Sequence, residues 1–175
     1  MSDPLPSTRL EGDAVLADDL ARELLGARLV GVLATFDRAH GIHAVPMWYA
    51  VIENRILLAT GSRSRKVRNL ELDPRATLVV HDSRPGYEVC GVSIAGTIEI
   101  LRGLEAQTLV DRVHGRYVAD GAGENAAVRA FLISDDVALR LRPIAALTWD
   151  ERPSAASAAL RARGEAFPLV TTDPR

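Results

Sequence analysis

Between Gly61 and Asn69 the chain places Arg63, Arg65, Lys66 and Arg68, and Lys66 is the only lysine among 21 basic residues. A phosphate group needs several donors arranged around it and some positive charge. A turn from strand into helix supplies free backbone N–H groups together with the positive end of the helix dipole. Thr60, Ser62 and Ser64 add hydroxyl donors to such a turn. Arg65 and Lys66 fall in the first helical turn, where the dipole disfavours each cation by roughly 0.3–1 kcal/mol at the surface. Two cations there weaken the helix unless an anion sits among them. Arginine offers a two-pronged fork and lysine a compact charge, a pairing suited to a phosphate monoester. The same residues would serve as a solvated basic loop reaching nearby carboxylates, and spacing alone leaves both readings open.

The remaining reactive residues are sparse. His40 and His43 are three apart across a turn, with no third metal ligand close in sequence. Cys90 is the single cysteine, so neither an internal disulfide nor a cysteine-based zinc site is possible. Flanked by Val89 and Gly91, it reads as a small core residue. His81-Asp82 at a strand end reads as structural. His114 stands between Arg112 and Arg116 and is expected on the solvated face of a helix. No Ser-His-Asp order, paired-carboxylate spacing or G-x-x-x-x-G-K loop rises above chance, and no G-x-G-x-x-G fingerprint follows a strand.

These residues must be positioned by short elements. Leu20, Leu24 and Leu25 share a face of an amphipathic helix over 18–26. Apolar, β-branched runs over 28–36 and 42–52 flank the turn at 37–41 and predict a hairpin. Glu53-Asn54-Arg55 turns the chain into a third strand, 56–60, which runs straight into the basic loop. Ser64 is placed to cap a short helix holding Val67 and Leu70, closed by Asp73-Pro74. Strands follow over 76–81 and 89–101 around a turn at Ser83-Arg-Pro-Gly86, then helices over 103–118 and 124–131. A last strand from Val137 alternates until Pro143, which suggests an edge position or an abrupt exit. Residues 1–16 read as a loose lead-in, 17–152 as one domain and 153–175 as a weakly structured tail. About six antiparallel strands with peripheral helices make a mainly β, α+β chain, and closely spaced hairpins favour a barrel over a doubly wound parallel sheet.

The 175 residues suffice for one core, and the composition, 47% hydrophobic and 25% charged, is globular. A net charge of −2 removes the global electrostatic case for nucleic acid, so an anion site must be local. No apolar run is long enough to span a bilayer as a helix, and the amino terminus lacks the regions of a secretory signal. A cytoplasmic protein without a nucleic-acid or membrane partner is expected.

One set of residues matches a known pattern in type, order and spacing. It comprises His43-Ala-Val-Pro-Met-Trp-Tyr49, Leu57-Leu-Ala-Thr60, Ser64-Arg-Lys66, Asn69-Leu70, Asp73-Pro-Arg-Ala-Thr-Leu-Val-Val80 and Ile94-Ala-Gly96. With these the chain resembles the split β-barrel flavin-binding superfamily over about residues 20–150. That group includes pyridoxamine 5′-phosphate oxidase and the flavin- or deazaflavin-dependent oxidoreductases. The resemblance implies a split antiparallel β-barrel of the FMN-binding type. It implies that Thr60, Ser64, Arg65 and Lys66, with Ser62 nearby, hold a cofactor phosphate. It implies that the backbone of Ala44, Val45, Pro46 and Met47 lies along the ring.

The cofactor so implied is FMN or the deazaflavin, and the partner is a second copy of the chain with cofactor at the interface. Hydride would move between the ring and a small organic substrate. No catalytic side chain is assigned, since in such proteins the cofactor performs the transfer. A carrier or sensor of flavin, deazaflavin or haem without turnover is the alternative. Two departures point away from pyridoxamine phosphate itself: Gly91 stands where that oxidase has a glutamine, and an Arg-x-His-x-Arg segment is missing after Trp149.

Overall fold

The computed structural model describes residues 7–84, 88–132 and 135–164. Its strands are β1 (Ser7–Glu11), β2 (Gly31–Asp37), β3 (Gly41–Met47), β4 (Tyr49–Ile52), β5 (Arg55–Gly61), β6 (Arg75–Arg84), β7 (Glu88–Leu101) and β8 (Asp136–Asp150). Helices α1 (Ala14–Ala17), α2 (Asp19–Gly26), α3 (Arg65–Leu72), α4 (Leu104–Gly115), α5 (Ala126–Leu132) and α6 (Ala155–Arg163) surround them. Every pairing is antiparallel, in the order β3-β2-β6-β7-β8-β5-β4, with β1 added to β8.

The two ends of this order, β3 and β4, are separated in sequence by Trp48 alone. The sheet therefore curls until its ends meet, and the result is a split antiparallel β-barrel. The expected single strand over 42–52 is two strands that change partner at Trp48: β3 pairs with β2 and β4 with β5. Glu53 and Asn54 close the β4–β5 hairpin with φ of 51° and 59°, the left-handed pair that a two-residue turn demands.

Alternate residues of the strands fill the barrel. Leu33, Ile56, Leu58, Leu78, Val80, Val92, Ile94, Leu139 and Leu141 are buried together with Leu24 and Leu25 of α2. Each such side chain contributes about 1.5–3 kcal/mol on full burial.

Three expectations require correction. Ser7–Glu11 is a strand paired with Ala145–Trp149, and Val15 of α1 is wholly buried, so residues 7–16 are part of the fold. Ala155–Arg163 is a helix within the expected weak tail. Pro143 stands inside β8, which is flanked by β7 on one side and by β5 and β1 on the other. A bulge absorbs the proline: Ala95 faces Ala145 while Gly96 faces Pro143, leaving Ile144 over. Gly96 permits the close approach, because a Cβ there would overlap the Arg142 carbonyl. Residues 85–87 of the expected turn, 1–6 and 165–175 lie outside the described residues. Among the described residues no helix is long and apolar enough to cross a membrane.

Candidate functional site

β5 ends at Gly61 and α3 begins at Arg65, so the expected strand-to-helix turn is present. Exposure alternates along it: Thr60 is buried, Ser62, Ser64 and Lys66 are half-buried, and Arg63 and Arg65 are exposed. Thr60 is the hub. Its hydroxyl accepts from Lys66 Nζ at 2.8 Å and donates to Ser64 Oγ at 3.5 Å. Ser64 occupies the N-cap of α3, yet its side chain accepts from none of the first-turn amides. Those amides therefore remain donors without a capping side chain. Burial lowers the pKa of Lys66, and the charge of Asp136 opposes that shift.

The other two loop residues are engaged by carboxylates. Ser62 donates its N–H to Asp135 O at 2.8 Å and its hydroxyl to Asp135 Oδ2 at 2.5 Å. Arg65 donates Nε to Asp37 Oδ2 at 2.5 Å, which leaves its two terminal amino groups for a further acceptor. Asp37 also accepts from Ala39 N and His40 N. The Arg65 guanidinium, helped by those amides, holds the Asp37 carboxyl at about 2, against an ordinary 3.8.

Buried Asn69 pins α3 to the first sheet strands, donating Nδ2 to Thr35 Oγ1 at 3.1 Å, and Thr35 Oγ1 donates to His43 O at 3.3 Å. This chain of bonds fixes the loop relative to β3, which bears Ala44–Met47. On β3, Ala44 and Pro46 are exposed, Val45 is half-buried and Met47 belongs to the core. The strand has β2 on one edge and no second strand on the other among the described residues.

The sequence reading missed what stands behind Trp48. Its ring stacks on Tyr117 with centroids 5.0 Å apart and meets His114 edge-on at 6.1 Å. Tyr117 in turn donates to Leu29 O at 2.7 Å and accepts from Tyr49 N at 3.4 Å. His114, expected on a solvated face, is 3% exposed, with Nε2 3.4 Å from Asp136 Oδ2. Burial lowers its pKa, and the charges of Asp136 and Asp111 oppose that shift. The signal was available: Val110 and His114 are four apart and thus share the buried stripe of α4.

Trp149 packs against Gly91 across the β7–β8 ladder so closely that a Cβ at residue 91 would overlap its ring. The space beside residue 91, where the resemblance implied a glutamine in the oxidase, is filled here by the Trp149 indole. His40 and His43 gain no partner ligands: among the described residues no cluster of three metal-ligating side chains exists.

A barrel closed at Trp48, with a turn at the end of β5 that gathers hydroxyls and an ammonium, defines a split β-barrel. The chain belongs to the pyridoxamine 5′-phosphate oxidase family, whose model matches residues 17–150. It is similar to the conserved hypothetical protein Rv2991 from Mycobacterium tuberculosis, at 30% identity and a TM-score of 0.64, over 74% of this chain and 82% of that one. A protein described as an F420 reductase is 22% identical with a TM-score of 0.54, over 71% of this chain and 94% of that one. HutZ, the heme storage protein of Vibrio cholerae, is 16% identical with a TM-score of 0.57, over 74% and 91%. Both of these lower identities speak to the fold alone. No curated protein matches the chain by sequence.

Proposed function

We propose that this protein is a flavin-type oxidoreductase that binds FMN or the deazaflavin and moves hydride between it and a small organic substrate. The observation behind this reading is the Lys66 Nζ–Thr60 Oγ1 contact of 2.8 Å at the uncapped start of α3. Ammonium, hydroxyls and free amides converge there, and that donor set fits a phosphate. Thr60, Ser64 and Lys66 hold the phosphate, the free end of the Arg65 fork closes over it, and the Ala44–Met47 backbone supports the ring. Ser62 contributes only if Asp135 releases it. The cofactor supplies the hydride chemistry, while the chain binds, orients and excludes water.

A homodimer completes the reading. The outer sheet face exposes Phe36, Ile42 and Ile144 at 48%, 60% and 60%, around a cavity of about 230 Å³ that also takes in Ala34, Ala76 and Ala95. Such a contiguous apolar face on a soluble chain fits a partner surface.

A non-catalytic carrier or sensor is the second reading, favoured by the likeness in fold to a heme storage protein. Parallel fluorescence titrations with FMN, the deazaflavin and haemin test both. Submicromolar binding of one flavin-type ligand, with turnover of an electron acceptor, is expected. Lys66→Ala is expected to lose at least about tenfold in affinity, from charge-assisted bonds of about 1.5–3 kcal/mol. No binding of either flavin-type ligand overturns the proposal.

A further inference from the structure

Arginines gather on one patch of the outer barrel face. Arg140 of β8 sits opposite Glu99 of β7 on one side and Leu57 of β5 on the other. Because side chains alternate along a strand, Arg142 shares the face of Arg140, and Arg55 that of Leu57. The segment over 12–16 builds a wall beside them. Gly12 turns with a φ of 54° and donates its N–H to Ile144 O at 2.9 Å, and Val15 is wholly buried. Between this wall and Arg55, Arg140 and Arg142 lies a cleft of about 380 Å³, which Leu16, Asp13 and Asn54 also line.

The charges in the cleft do not balance. Glu99 Oε2 accepts from Arg140 Nε at 3.1 Å and from Arg142 Nη2 at 2.6 Å, so one carboxylate serves two guanidiniums. The Arg140 side chain is 22% exposed and that of Arg142 65%, which leaves part of Arg142 open. Arg55 has no hydrogen-bond or ion-pair partner among the described residues. With Asp13 and Glu99 both counted, three cations meet two carboxylates. Arg55 and Arg140 also border a crevice of about 90 Å³ that holds Glu53 and Glu105. Glu53 is matched by Arg112 at 3.2 Å, and Glu105 stands in the first turn of α4, where the helix dipole favours a carboxylate. One guanidinium is left in excess.

We propose that this cleft is a second ligand site, for a small organic monocarboxylate: Arg55 and the open part of Arg142 take the carboxylate, and Leu16 meets the carbon skeleton. A guanidinium fork matches a carboxylate with two parallel hydrogen bonds. A single cation in excess suits a monoanion better than a phosphate dianion. The site is separate from the basic loop, since Arg55 and Gly61 are the two ends of β5, roughly 20 Å apart at about 3.3 Å per residue. It therefore stands whether or not the loop holds a phosphate.

Sodium benzoate, with benzamide as its uncharged counterpart, tests the site on the full chain by nitrogen-15 spectra of the backbone amides. Benzoate is expected to shift the amides of Gly12 and Asn54 saturably, and benzamide to bind at least about tenfold more weakly. Arg55→Gln should lose at least about tenfold in benzoate affinity, whereas Lys66→Ala should keep the wild-type value. Arg142→Gln alters an exposed side chain and should lose affinity likewise, so it serves if Arg55→Gln does not fold. Wild-type affinity in either folded arginine variant overturns the proposal. So does a loss in Lys66→Ala, which would place the carboxylate in the loop, and so does the absence of saturable benzoate shifts in the millimolar range. Inorganic phosphate moving the same two amides with higher affinity than benzoate would overturn the ligand class.

Discussion

Arg65 reaches back from the first turn of α3 to donate its Nε to Asp37 at the end of β2, across 2.5 Å. The Asp37 side chain is 8% exposed and that of Arg65 43%, so the acid is held within the fold while the arginine stays open to solvent. A cation in the first turn of a helix is disfavoured by the dipole. Here the nearly buried Asp37 carboxylate offsets that cost.

The pH dependence of stability follows from this pair. The Asp37 carboxyl is held at about 2, below its ordinary 3.8. Its contribution is therefore fully present above about pH 3.8 and is lost as pH falls through about 2. Asp73, held at about 2 by Arg75, titrates in the same window. Comparing wild type with Asp37→Asn isolates the first: urea midpoints of the two should differ at neutral pH and converge toward pH 2. A gap of constant size across that range would show that the pair contributes nothing through its charge.

Much of the barrel and the loop was legible because both are local patterns. The Thr60–Lys66 order and the strand-to-helix transition lie within seven consecutive residues. The break at Trp48 was not legible, since nothing in the apolar run over 42–52 says that its halves pair with strands at opposite ends of the sheet. Pro143 misled for a related reason: the bulge that tolerates it depends on Gly96, far away in sequence. The Asp136 carboxylate beside His114 joins α4 to β8 and needed the tertiary structure. So did the carboxylates of Asp37 and Asp135, which occupy Arg65 and Ser62 and leave Thr60, Ser64, Lys66 and the outer half of Arg65 as donors for the proposed phosphate.

Gly91 and Trp149 make a steric prediction. Gly91→Ala places a methyl group inside the space of the indole, and overpacking of this kind costs about 1–3 kcal/mol. The melting temperature should fall, and in Gly91→Ala/Trp149→Ala the glycine substitution should cost little. Calorimetry of the four proteins of this cycle measures the coupling. Equal cost of Gly91→Ala with and without the indole would refute the contact.

Arg116 secures the far end of α2. Its guanidinium donates to the carbonyls of Leu25, Gly26 and Ala27 and lies 5.4 Å from the centre of the Tyr49 ring. These carbonyls belong to the unsatisfied end of a helix, where a cation is favoured. Arg116→Met keeps the stem and removes the donors. A loss of about 2 kcal/mol is expected, seen as a drop of roughly 4–8 °C in melting temperature. An unchanged melting temperature would mean that water replaces the cap at no cost.

The last prediction concerns the outer face of the sheet. Ile42 on β3 and Phe36 on β2 stand opposite each other in register, and Ile144 protrudes from the bulge of β8 toward the same cavity. An aspartate at residue 42 would bury a charge if this face meets a second copy, and it would cost nothing measurable if the face meets only water. Sedimentation of wild type at micromolar concentration should give a dimer and Ile42→Asp a monomer with an unchanged far-ultraviolet spectrum. The cofactor reading ties the two results together: if ligands sit between copies, Ile42→Asp loses affinity for FMN or the deazaflavin although it leaves Thr60, Ser64 and Lys66 intact. Full affinity in a monomeric variant would confine the site to a single chain.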